Sequence, residues 1–305
     1  MQRPSFDTGW TRALARGARP DAAALREHLV AVHASHAGFT EACAARCRDP
    51  EGRDSYDWLA EAAPSAAPGG APGAPARVLD LACGSGVLLD RLARRAGGAL
   101  DLVGVDMSAD ELALARARLA PGRAALHRGL AQEMGFLADA SVDAVLCHWA
   151  LTLMDPVVPA LAEARRVLRR GGTFAAIVDG AAETAPGYAE VDRLIFAYVR
   201  EAYPMYGDID LGDPRVREAG SLANLVAEAF GDGSVSVEPN VVSMTADPET
   251  LAREASGFFY AAFVLGEEAR AAMLEDLASL FARLSVREGG RPAFHMPINR
   301  LVVAG

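Results

Sequence analysis

The sequence predicts an α/β protein, a parallel sheet with helices packed on both faces. Three observations carry that expectation. Between Arg77 and Asp179, short apolar runs alternate with segments of helical period. The first of these runs passes through a glycine turn into a helix, VLDLACGSGVLLDRLA over residues 78–93, with an acid inside the strand. The second run ends in Asp106, 20 residues beyond Gly86, which is where an acid closes a nucleotide site in doubly wound folds.

The elements follow in order. Residues 21–47 place Leu25, Leu29, Val32 and Phe39 at helical spacing, and SYDWLAEAA forms a second short helical piece. The Pro/Gly/Ala-rich stretch APSAAPGGAPGAPA then reads as a linker. This gives an N-terminal helical cap over 1–61, a linker over 62–76 and a main domain over 77–305. In that domain, strands are expected at 77–82, 100–106, 124–128, 142–147 and 172–178, with helices at 87–96, 109–119 and 158–168. The style then changes. Helices are expected near 187–203, 219–230, 248–264 and 267–285, and strands near 234–242 and 298–304, so helical inserts fall around 181–232 and 246–290.

Composition narrows the function. A chain of 305 residues that is 51% hydrophobic buries a full core. Its net charge of -10, without a basic run, disfavours a nucleic-acid partner. No apolar run reaches the roughly 18 residues that span a membrane. The opening MQRPSFDTGWTRALARG has no apolar signal region, and the four cysteines follow no disulfide framework, so a reducing cytoplasm is expected. Cys43 and Cys47 share a helix face with no histidine at ligand spacing, which argues for buried thiols rather than zinc. Asp208, Asp210 and Asp213 lack the closing glutamate of a calcium loop and read as a solvated loop, so no metal is expected. Nothing in the sequence sets an oligomeric state.

The turn Gly84-Ser85-Gly86 lets backbone N–H groups approach a ligand at a helix N-terminus. A dinucleotide fingerprint would need a third glycine, and that position is Leu89. Asp80 needs a donor at its depth, and Asp106 lies at the ribose offset. Together they suit a ligand with an amino-acid end and a nucleoside end, of which S-adenosylmethionine (SAM) is one.

VLDLACGSG, LVGVDMS, LHRGLAQEMGFLADASVDAVLCHWAL and ALAEARRVLRRGGTFAAIV occur in that order, and they resemble successive motifs of class I SAM-dependent methyltransferases. The resemblance covers roughly residues 76–180. It implies a seven-stranded, mostly parallel, doubly wound sheet whose last strand, INRLVVAG, is antiparallel. It also implies that Asp80, Gly84 and Gly86 hold the methionine end, with Ser85 in the same turn. Asp106 takes the ribose hydroxyls, and Met107 lies against the adenine. Two positions depart from the family pattern. Ala82 stands where the first glycine is usual, and Leu130 stands where an acid often faces the adenine amino group, leaving the Ala131 backbone and the Gln132 side chain to substitute.

After the fourth strand the chain reads Cys147-His148-Trp149-Ala150, where the methyl group is expected. The Asn/Asp-Pro-Pro-aromatic motif of amide and adenine N-methylation is absent. His148 is either a base for an amine or hydroxyl nucleophile or a neutral residue that positions SAM. Trp149 either faces the sulfonium or packs in the core. Tyr203 and Tyr206 flank Pro204 in a loop suited to a pocket, Tyr198 is expected in the core, and Tyr56 and Trp58 of the cap either close over SAM or only pack. The leading expectation is a small-molecule methyltransferase of bacterial secondary metabolism, with His148, Tyr203 and Tyr206 as catalytic candidates. The alternatives are a cyclase that turns the SAM amino group onto its own Cγ, giving azetidine-2-carboxylate and methylthioadenosine, and a SAM-binding module without catalysis.

Overall fold

The computed structural model describes residues 5–65, 74–96, 98–208, 211–231, 233–284 and 286–304. In chain order the main elements are α1 (Gly9–Ala15), α2 (Ala22–Ser35), α3 (Phe39–Ala44), α4 (Ser55–Ala60), β1 (Ala76–Leu81), α5 (Val87–Ala96), β2 (Leu100–Asp106), α6 (Ala109–Arg118), β3 (Ala124–Arg128), β4 (Val142–His148), α7 (Val158–Val167) and β5 (Leu168–Asp179). There follow α8 (Tyr188–Ala202), α9 (Ala219–Phe230), β6 (Ser234–Thr245), α10 (Pro248–Ser256), α11 (Glu267–Arg283), β7 (Arg287–Glu288) and β8 (Arg291–Ala304). The chain divides into two compact units. One comprises residues 1–54, 181–211 and 241–297, and the other residues 55–180, 212–240 and 298–305.

The second unit contains the parallel core of the sheet, whose strand order is β3-β2-β1-β4-β5-β8-β6. β1 through β5 pair in parallel, and residues 298–304 of β8 run antiparallel to β5. The seven expected strands are present, and the two-residue β7 pairs with β8 as an eighth. The central strands are apolar on both faces, as a sheet covered on both sides requires. All of β4 except His148 is buried, and Phe174–Val178 of β5 are buried throughout. α5 turns Leu88, Leu89 and Leu92 inward and ends in Arg94 and Arg95, which complement the carbonyl end of the helix. α6 begins where the Ser108 hydroxyl accepts the Glu111 N–H. β5 starts at Leu168, earlier than the glycine pair suggests, because β4 pairs with it from Leu168 onward, Val142 with Leu168 and Ala144 with Thr173 across a shift in register.

The first unit is mainly helical. The periodic stretch 21–47 is broken into α2 and α3 at Gly38, which adopts φ 75. The helix expected over 248–264 stops at Ser256 before Gly257, and Tyr260–Val264 form a 3-10 turn instead. Cys43 and Cys47 are buried, with their sulfurs 3.7 Å apart. Tyr198 is not a core residue. Its ring is half-buried and its hydroxyl donates to Asp276 Oδ2 at 2.6 Å, which pushes the phenol up to about 12. The expected cap divides in sequence, residues up to Asp54 falling in this unit and α4 in the other. Most of the expected linker, residues 66–73, lies outside the described residues, as does Asp210. Among the described residues, no helix is long and apolar enough to cross a membrane.

Candidate functional site

Within the sheet unit, β1 lies between β2 and β4, so the direction of winding reverses beside its C-terminal end, the usual place for a ligand crevice. Asp80 pairs in register with Gly104 on one side and Leu146 on the other, and its side chain is buried. Asp106 ends β2 next to it. Its Oδ2 accepts the Gly84 N–H at 2.9 Å and its Oδ1 accepts the Ser108 N–H at 2.8 Å. The glycine turn and the second strand tip are therefore clamped by one carboxylate. The buried thiols respond to these acids. Cys147 is pushed up to about 12 by burial and then by Asp80, and Cys83 is raised by burial and then by Asp80 and Asp106.

The turn itself is tight. Gly86 adopts φ 79, and a Cβ there would lie 3.0 Å from Ala115 Cβ of α6, so this glycine serves helix packing at the turn. Ala82 adopts φ 59, which explains why glycine is usual at that position. Ser85 is fully buried, and Met107 is half-buried with its carbonyl accepting Arg128 Nε at 3.4 Å.

At the end of β4, His148 Nε2 lies 2.9 Å from Ser55 Oγ, and its ring stacks on Tyr56 at 3.6 Å between centroids. Burial lowers its pKa to about 3, so the ring is neutral. Trp149 is buried and held at φ 58, a conformation that costs a bulky residue about 1–3 kcal/mol and that neighbouring contacts must enforce. Its N–H donates to Ile177 O at 2.9 Å, its indole N–H to Asp179 Oδ1 at 2.7 Å, and its carbonyl accepts Thr152 Oγ1 at 2.9 Å. Arg217 sits 3.5 Å from the other oxygen of Asp179. Trp58 is buried under the Arg300 guanidinium, 4.6 Å from its ring centre.

Beyond β3, Leu130, Ala131 and Gln132 are half-buried, and Gln132 Nε2 donates to Pro156 O at 3.1 Å, leaving its carbonyl oxygen for other use. Phe136 stacks on His127 with centroids 4.1 Å apart. Tyr203 and Tyr206 belong to the helical unit. Both are buried there, and the Tyr203 hydroxyl donates to Val264 O at 3.4 Å. Ser55 and Asp179 carried no signal of a site role in the sequence. Ser55 sits 93 residues from its partner, and Asp179 only marked a strand end. Among the described residues, no group of three or more His, Cys, Asp or Glu is placed to hold a metal ion.

The donor set tests the fit of SAM. The molecule carries an ammonium and two ribose hydroxyls, all donors, and the tips of β1 and β2 offer two carboxylates as acceptors. The residues fit the group.

Comparison with known proteins agrees. Residues 78–172 match the family model of a methyltransferase domain. An uncharacterized methyltransferase of Mycobacterium tuberculosis strain H37Rv is 36% identical over 168 residues, 53% of this chain and 60% of that protein. A ubiquinone/menaquinone biosynthesis C-methyltransferase of Bradyrhizobium is 31% identical over 144 residues, 46% of this chain and 55% of its own. The chain thus spans less than two thirds of the curated relatives it matches. Among solved structures, the [4+2]-cyclase SpnF superposes with a TM-score of 0.56 at 18% identity, covering 94% of this chain and 97% of that one. A protein of Anabaena variabilis, provisionally assigned as a methyltransferase of an antibiotic biosynthesis pathway, gives a TM-score of 0.56 at 16% identity, covering 84% and 98%. These likenesses concern the fold. Residues 78–172 thus resemble a methyltransferase domain in sequence, and the fold is one that solved neighbours share.

Proposed function

We propose that this protein is a SAM-dependent methyltransferase acting on a small molecule, with Asp80 and the Gly84-Ser85-Gly86 turn at the methionine end and Asp106 on the ribose. One observation carries the reading: the Asp106 carboxylate, fixed by the Gly84 and Ser108 N–H groups, is an acceptor preorganised beside the glycine turn. Bound SAM supplies a methyl group made electrophilic by the sulfonium. The chain's own part is alignment and exclusion of water. His148 at the end of β4 and Trp149 just after it form a fixed, neutral wall, and Met107 with Ala131 and Gln132 lines the adenine side. Tyr203 and Tyr206 are the residues to test for contact with the acceptor.

Two measurements test the reading. Calorimetry should detect SAM binding by the full chain. Mass spectrometry should then find S-adenosylhomocysteine only after small hydroxyl, amine or activated-carbon acceptors are added. Absence of SAM binding refutes the proposal. Methylthioadenosine and azetidine-2-carboxylate formed from SAM alone would replace it with the intramolecular reaction.

A further inference from the structure

The contacts of His148 decide which of its nitrogens carries the proton. Nε2 lies 2.9 Å from Ser55 Oγ, Tyr56 covers one ring face at 3.6 Å, and the Trp149 ring approaches edge-on at 5.1 Å. Ser55 is fully buried, and among the described residues its hydroxyl has one hydrogen-bond partner, His148 Nε2. A buried donor left unmade is rarer and costlier than an unused acceptor lone pair. The Ser55 O–H therefore donates to Nε2. Nε2 must be the bare nitrogen, and the proton of the neutral ring lies on Nδ1. Nδ1 has no hydrogen-bond partner among the described residues, and the His148 side chain is half-buried.

We propose that Ser55, aided by the Tyr56 stack, is a positioning residue that fixes His148 in the Nδ1–H tautomer, so that His148 presents a hydrogen-bond donor to an oxygen of the ligand at the strand ends. Only the ligand half of this inference rests on the function proposed above. An Nδ1–H cannot accept a proton, so in this arrangement His148 is a binding group and not a general base. Burial, which keeps the ring neutral near pH 7, acts in the same sense. Two sources of the oxygen share this chemistry, the carboxylate at the amino-acid end of SAM and an oxygen of the acceptor.

The tautomer is read first, without any ligand, by nitrogen NMR of the full chain labelled at its histidines. The His148 signals are assigned by their loss in His148→Asn. A protonated Nδ1 and a bare Nε2 are expected. Ser55→Ala should move the proton toward Nε2, and Ser55→Thr should leave it in place. An Nε2–H in the unaltered protein, or an unchanged tautomer in Ser55→Ala, overturns the proposal even if SAM binds normally. Calorimetry then locates the oxygen. A loss of about fivefold in S-adenosylhomocysteine affinity in Ser55→Ala, absent for decarboxylated SAM and restored in Ser55→Thr, assigns the donor to the amino-acid carboxylate. No loss there, with a raised KM for the acceptor at constant kcat, assigns it to the acceptor oxygen. No change in either quantity refutes the donor role.

Discussion

Replacing Gly86 with alanine perturbs the glycine turn at a point where the structure gives each contribution. Gly86 holds φ 79, and alanine pays about 1–2 kcal/mol in that region. The new methyl would meet Ala115 Cβ at 3.0 Å and Ala115 Cα at 3.3 Å. Neither atom can rotate away, so α6 or the turn must shift, an overpacking cost of about 1–3 kcal/mol. Alanine also stiffens the unfolded chain, which returns about 0.4–1 kcal/mol. The net expectation is a loss of about 1–5 kcal/mol. Urea unfolding followed by circular dichroism measures it, with Ala82→Gly as the companion. Ala82 adopts φ 59, so glycine there relieves strain while loosening the unfolded chain, for a net change from about zero to 1.6 kcal/mol in favour of folding. A loss below about 1 kcal/mol for Gly86→Ala, together with clear destabilisation by Ala82→Gly, would refute the left-handed geometry from which both signs follow.

Further tests separate binding from stability. Asp106→Asn removes the charge and sets an amide N–H against either Gly84 or Ser108, so SAM affinity should fall at least about tenfold by calorimetry. Asp143, near the opposite end of β4, accepts the Arg77 N–H at 2.7 Å and pairs with Arg169 at 2.7 Å. Asp143→Ala should cost about 2–3 kcal/mol of stability and leave SAM affinity within about twofold. Burial lowers His28 to about 4 and His148 to about 3, below an ordinary imidazole near 6.5. The unfolded chain therefore binds more protons between those values. The stability held above pH 6.5 should fall with acidification toward pH 4, by up to about 1.4 kcal/mol per pH unit for each ring. A Tm that is flat or rising from pH 7 to 5 would contradict this.

The parallel core was legible because its signals are local. β2, β3, α5 and α9 have the expected limits, since each is an apolar or amphipathic run bounded by Gly, Pro or a cap. The acids Asp80 and Asp106 were legible for the same reason, lying at fixed offsets from the glycine turn. What failed to show depends on partners distant in sequence or on backbone conformation. Ser55 meets His148 only after folding, and Ala82 and Trp149 adopt left-handed conformations that their residue types disfavour. Tyr198 has core-like spacing, yet Asp276, from a helix far along the chain, draws its hydroxyl outward. In 248–264 the helical period continues past Gly257, where the backbone does not follow it.

The pairing of β8 with β5 has a consequence for how the protein is made. One edge of β5 is satisfied by β4, and the other by residues 298–304, in register from Thr173 with Ala304 to Asp179 with Ile298. Those residues leave the ribosome more than a hundred positions after β5 does. Throughout that interval Phe174–Val178, five residues buried in the finished sheet, form an unpaired apolar edge that can template another nascent chain. Substitutions in residues 298–304 that weaken this pairing should therefore lower the yield of soluble protein as well as the stability of the finished sheet. No charged residue lies between Thr173 and Val178, so the strand itself carries no gatekeeper charge on that edge before residues 298–304 close it.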